Sequence, residues 1–143
     1  MHHSIKSTIM NTKLSFKQII TSGAIAAVCS MIINALLFFT FHGTGVLSDS
    51  ILIQPGQPLT VVPIIMASIV PSLIGASIFF LFEKYSANGF KIFSIISIVL
   101  LLLSFANPFM GIPNVTIGYG IVLNIMHVVV AFLLLFFLKR AKK

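Results

Sequence analysis

Only two of the 143 residues are acidic, Asp49 and Glu83, and neither falls inside an apolar run. That excludes an intramembrane aspartyl protease, which needs two aspartates. It also leaves the acid-dependent proton antiport of four-helix multidrug exporters without a carrier. The single cysteine, Cys29, forms no internal disulfide and no dithiol centre, which rules out quinone-linked disulfide chemistry within the chain. Charge of either sign is scarce: 8% of the residues are charged and 58% are hydrophobic, with a mean hydropathy of +1.13. A soluble domain of this length needs many more charges to cover its surface. A bilayer removes that need.

What is present is four long apolar runs, at about Gln18 to Phe41, Leu59 to Phe82, Ile92 to Phe109 and Ile117 to Leu138. Crossing about 30 Å of hydrocarbon takes about 20 apolar residues as a helix. A strand reading fails, because the runs are continuous rather than alternating and open strands leave backbone groups unpaired in lipid. The expected fold is therefore a single all-α domain over residues 1–143, an antiparallel up-down bundle of four transmembrane helices. The first run is too long, and ends in Phe-Thr-Phe-His, to be a cleaved signal peptide. Cys29 within it reads as a buried structural thiol.

The cations set the orientation. Lys6, Lys13 and Lys17 precede the first run, Lys84 and Lys91 lie between the second and third, and Lys139, Arg140, Lys142 and Lys143 follow the fourth. The other two connections contain no Lys or Arg. By the positive-inside rule both termini and the second connection are cytoplasmic. The net charge of +7 thus marks a membrane edge and anionic lipid rather than nucleic acid. Glu83 is expected beside Lys84 at a helix end, where both reach water.

The connections carry their own signals. Asn88-Gly89 predicts a helix stop and a short turn, making helices two and three antiparallel neighbours. Ile51-Leu52-Ile53-Gln54 and Leu59-Thr60-Val61-Val62 flank Pro55-Gly56-Gln57-Pro58, a strand-turn-strand pattern that predicts a short hairpin over the outer mouth; a mobile linker is the alternative. The stretch from Asn107 to Val115, with two prolines and a glycine, is not expected to continue a helix.

Small and polar residues recur at helical spacing in every run: Gly23, Ala27, Ser30 and Asn34; Ser68, Ser72 and Gly75; Ser94, Ser97 and Ser104; Gly120, Asn124, His127 and Ala131. In lipid such stripes are packing seams. Pro71 breaks one backbone bond in the second run and frees the carbonyl of Ala67, which Ser68 or Ser72 can help to satisfy. Asn34, Asn124 and His127 stand out. Asn124 and His127 are neighbours on one helix face, and polar groups at that depth face a bundle interior or a wet cavity. They are expected to converge on an outward-opening ligand pocket with His127 as its titrating member. The alternative is an interhelical hydrogen-bond clamp.

No catalytic set accompanies them. A Ser–His pair around His127 lacks a nucleophile motif, and a bis-His haem lacks a second membrane histidine, since His42 sits at a helix end. His2 and His3 make no metal site, and Met10 offers a second start that would leave residues 1–9 outside the native chain. No cofactor and no metal are expected. The leading functional reading is a non-enzymatic membrane protein that binds a small or lipidic ligand, or a partner protein, through Asn34, Asn124 and His127. A small transporter or channel subunit is the second reading, and its pore would require a homo-oligomer. A membrane enzyme with His127 as general base is the third.

The chain also resembles an uncharacterised family of bacterial four-helix membrane proteins classed as a domain of unknown function. The resemblance rests on Asn34, the strand-like loop before the second helix, and Glu83-Lys84. It continues through Ser104-Phe105-Ala106-Asn107-Pro108, Met126-His127-Val128-Val129 and Lys139-Arg140, and it covers the chain from about Lys17 onward. It implies the same topology in a bacterial plasma membrane and transfers no activity.

Overall fold

The computed structural model describes residues 12–143; His2, His3, Lys6 and Met10 lie outside them. Four segments are long and apolar enough to cross a membrane: Phe16–Gly43, Val61–Tyr85, Gly89–Gly111 and Ile117–Ala141. The first is helix α1 (Phe16–Gly43), whose 28 residues span about 42 Å. It starts at a capping box, with Ser15 N–H donating to Gln18 Oε1 at 2.9 Å and Gln18 N–H to Ser15 Oγ at 3.2 Å. Next come strands β1 (Leu52–Gln54) and β2 (Gln57–Pro58), paired antiparallel around Pro55-Gly56, with Gly56 at φ 74°. The expected hairpin is therefore present. Its second strand ends at Pro58, because Val61 and Val62 already belong to helix α2 (Val61–Tyr85).

Helix α3 (Gly89–Ser104) follows a three-residue turn and is shorter than the sequence suggests. Its 16 residues reach about 24 Å, less than the hydrocarbon thickness. A second short helix, α4 (Asn107–Gly111), completes the span, so the stretch expected to be non-helical contains one helical turn. Pro108 sits in that first turn, where a missing N–H costs nothing. Helix α5 (Ile117–Ala141) starts at Thr116, whose hydroxyl accepts from Tyr119 N–H at 3.2 Å.

Helix α1 packs along both α2 and α5, whereas α3 touches α2 and α5 over shorter stretches. Close approach of α1 and α2 depends on Gly23: a Cβ there would lie 2.5 Å from Ala76 Cβ. The core divides into two apolar clusters. Leu14, Ile19, Ala26, Ala76, Phe79, Phe93, Leu134 and Leu138 fill the end that holds the termini. Phe38, Leu47, Ile51, Leu59, Ile64, Tyr119, Val122 and Met126 fill the hairpin end. Between them, on α1 and α2, lies a buried polar layer of Ser30, Asn34, Ser68 and Ser72. The perimeter is apolar, with Leu36, Phe39, Leu103 and Phe132 among many large side chains left uncovered. In water such a surface would drive aggregation; in lipid it is the solvated face.

All eight described cations lie at the termini end, on the first residues, around the α2–α3 turn or in and just past the last turn of α5. There the structure corrects one expectation. Glu83 does not reach water: it is 3% exposed. Its carboxylate accepts from Lys142 Nζ at 2.6 and 2.8 Å and from the Leu14 N–H at 3.2 Å. Lys13 Nζ donates to the carbonyl of Lys84 at 2.9 Å, close to the last turn of α2. Lys142 is 59 residues from Glu83 in sequence, so the contact has no local signature.

Candidate functional site

Asn34 lies two-thirds along α1, on the face buried against α2 and α5. Its Nδ2 donates to Ser68 Oγ at 3.0 Å and to the carbonyl of Met126 at 3.2 Å, joining α1, α2 and α5 at one level. Ser68 can accept because its own hydroxyl proton goes to the Ile64 carbonyl, 2.9 Å away. The two acceptors fix the orientation of the amide. Asn34 Oδ1 is left buried without a partner, which is costly in an apolar interior.

His127 lies on α5 one residue beyond Met126. Its Nδ1 is 2.7 Å from the Leu123 carbonyl one turn back. A carbonyl only accepts, so Nδ1 carries the proton and, in the neutral ring, Nε2 presents a lone pair. Nε2 has no hydrogen-bond partner among the described residues. The side chain is exposed on the protein surface, although it sits far from either end of α5.

Asn34 and His127 meet at one cavity. It is a cleft of about 450 Å³ bounded by α2, α3 and α5. It forms because α3 buries only Gly89 and Phe93 at its start and leaves the rest of its length loosely seated. Ile78, Phe82, Leu100, Val130 and Leu134 are typical of the wall. Asn34, Ser97, Ser104 and His127 are the polar side chains of its lining, and no Lys, Arg, Asp or Glu contributes among the described residues. Ser104 is satisfied locally by donating to the Leu101 carbonyl at 2.6 Å.

Asn124 does not line this cleft. Its Nδ2 donates to the Phe105 carbonyl at 3.0 Å, at the break between α3 and α4, so it compensates a backbone group that the interrupted helix leaves free. Its Oδ1 is buried without a partner. Of the three residues singled out by sequence, the structure brings two to the cleft and gives the third a helix-joining contact. Asn34 does both, since it also clamps three helices.

Pro71 and Ala67, by contrast, are cleft residues that sequence reasoning treated only as a kink. Pro71 has no N–H for the Ala67 carbonyl. Neither nearby serine takes it: Ser72 Oγ donates to Ser68 O at 2.7 Å and Ser68 Oγ to Ile64 O. That carbonyl is left without its usual helical donor, on a residue of the cleft wall. Pro71 itself was the available signal.

The described residues contain no group of three or more His, Cys, Asp or Glu able to hold a metal ion. No curated protein and no solved structure matches the chain. Residues 15–143 match DUF6069, described as a family of unknown function. With that match running from the α1 cap to the last residue, the chain belongs to this family of four-helix, membrane-type proteins.

Proposed function

We propose that this protein is a four-pass protein of a bacterial plasma membrane, with both termini in the cytoplasm, that receives a lipidic ligand in the cleft between α2, α3 and α5. The orientation rests on the gathering of cations at the termini end, where Lys and Arg also attract anionic lipid at about 1 kcal/mol per charge.

The ligand reading rests on one observation: a cleft of about 450 Å³, apolar along its length, with Asn34 and His127 at its wall. Binding sites are commonly mostly apolar with a few placed polar groups. The cleft runs along α2 from Pro63 to Phe82, about 28 Å at helical rise. It is therefore a slot suited to a chain-like molecule rather than a compact chamber. Its open flank lets such a molecule enter from the bilayer without crossing water. Asn124 supports the site indirectly by holding the end of α3, which forms one wall.

Lipid copurification tests this. Protein extracted in mild detergent should carry bound lipid visible by native mass spectrometry. Ala131→Phe, which fills the slot from α5, should remove it. Equal lipid occupancy in wild type and variant refutes the cleft as the binding place.

A further inference from the structure

The polar points around the cleft share one property: they accept hydrogen bonds. His127 Nε2 is a lone pair, because Nδ1–H is committed to the Leu123 carbonyl. Asn34 offers no donor, because both Nδ2 protons are committed to Ser68 and Met126, and its Oδ1 is unpartnered but buried. The Ala67 carbonyl lacks its usual helical donor because residue 71 is proline. The Ser97 hydroxyl serves either way. Against these acceptors the lining offers no ammonium or guanidinium group among the described residues. Such a wall suits a ligand that brings a proton to donate and no negative charge. A phosphate or carboxylate would be desolvated there with nothing to neutralise it.

Asn34, Ser68 and His127 are also placed at one level. Asn34 ties Ser68 to Met126, and His127 follows Met126 directly. Ser68 lies seven residues into α2 from Val61, about 10 Å below the hairpin end. From there towards the termini end the slot continues for about 20 Å to Phe82, and Ile78, Phe93, Leu134 and Leu135 line it. The head level and most of the apolar slot are thus separated along one axis, with the Ser97 hydroxyl, about 12 Å into α3 from Gly89, the one polar group beside the tail among the described residues.

Resting on the ligand reading above, we propose that the cleft selects an uncharged long-chain alcohol: a lipid whose hydroxyl donates to His127 Nε2, beside Asn34 and Ala67, and whose hydrocarbon chain runs along α2 and α3 towards Phe82. The hydroxyl stays protonated throughout; no bond is made or broken.

The test uses the full chain in phosphatidylcholine nanodiscs, with ¹⁵N-labelled histidine and three sixteen-carbon probes: hexadecan-1-ol, hexadecane and palmitate. Hexadecan-1-ol should shift the His127 Nε2 resonance, identified by its loss in His127→Leu, while hexadecane should not. The alcohol should also bind about tenfold more tightly than hexadecane, the value of one buried hydrogen bond. His127→Leu should abolish that preference yet leave hexadecane binding intact, so that the hydrocarbon itself reports that the variant is folded. If that variant fails to fold, His127→Gln identifies the resonance by the same loss, and the wild-type shift then decides. Equal binding of alcohol and hexadecane with an unmoved Nε2 signal overturns the hydroxyl assignment and leaves the lipid cleft standing. Palmitate binding as tightly as the alcohol overturns the uncharged-ligand assignment. Absence of binding by all three probes overturns both this inference and the proposed function.

Discussion

Lys142 Nζ holds both carboxylate oxygens of Glu83, at 2.6 and 2.8 Å, and so ties the last residues of the chain to the end of α2. The same carboxylate takes the Leu14 N–H. Three distant segments therefore meet on one buried acid. The lysine keeps 27% of its side chain exposed while the glutamate keeps 3%. The pair sits between the exposed and fully buried regimes. Lys142→Met should cost about 1–3 kcal/mol, above the exposed-pair range and below the cost of stranding a fully buried charge. Thermal unfolding in detergent measures it. A loss that vanishes in 1 M salt would place the pair in the exposed regime instead.

Asn34 contributes two interhelical contacts. Asn34→Ala should lower stability by about 1 kcal/mol, since such contacts in membranes average about 0.6 kcal/mol each. Asn34→Asp should cost more, because a carboxylate would face the Met126 carbonyl and a serine oxygen whose proton is already committed. Comparison of the two variants by denaturant unfolding in micelles checks the order. A milder effect for Asp than for Ala contradicts the assigned amide orientation.

Gly23 allows α1 to approach α2 closely, and Gly43 does nothing comparable: a Cβ at Gly43 would meet nothing within 4 Å. Gly23→Leu should cost about 2 kcal/mol or more through overpacking, whereas Gly43→Ala should stay within about 0.5 kcal/mol. Melting curves of the two variants, run side by side, give the contrast.

Asn124 serves the broken third span. Asn124→Leu should leave the Phe105 carbonyl without its donor and loosen the α3–α4 junction. Hydrogen exchange should rise over residues 105–111, with global stability falling by about 1 kcal/mol. Unchanged exchange in that segment would show that the contact carries no weight.

Topology is checked with single cysteines in a Cys29→Ser background. Ala87→Cys, in the α2–α3 turn, should resist a membrane-impermeant maleimide added to intact cells, and Gln57→Cys, in the hairpin, should react. The reverse pattern inverts the proposed orientation.

Much of the architecture was legible in sequence because it is one-dimensional. Apolar run length sets the spans, and cation spacing sets which ends lie together. Even the hairpin around Pro55-Gly56 announced itself through turn chemistry. The residue types at the site, Asn34 and His127, were equally visible because a polar side chain in an apolar run is conspicuous. Their partners were not. Asn34 meets a backbone carbonyl at Met126, and Asn124 meets another at Phe105. A backbone acceptor has no residue-type signature, and the helix rotation that selects it is set by the other helices. Glu83 was misread for a related reason. A charge at a helix end normally reaches water, and only the folded position of Lys142 turns it inward. The interruption of the third span was obscured because Pro108 ends one helix and starts the next.

The band formed by Ser30, Asn34, Ser68 and Ser72, sandwiched between two greasy halves, fixes more than depth. Hydrocarbon side chains tolerate sliding past each other, but an amide does not. Displacing α1 along α5 by one turn, about 5.4 Å, would carry the Asn34 amide away from the Met126 oxygen it holds and set it against apolar neighbours. The protein can thus lean as a rigid whole when the surrounding bilayer thins or thickens, but its helices are dowelled against shear.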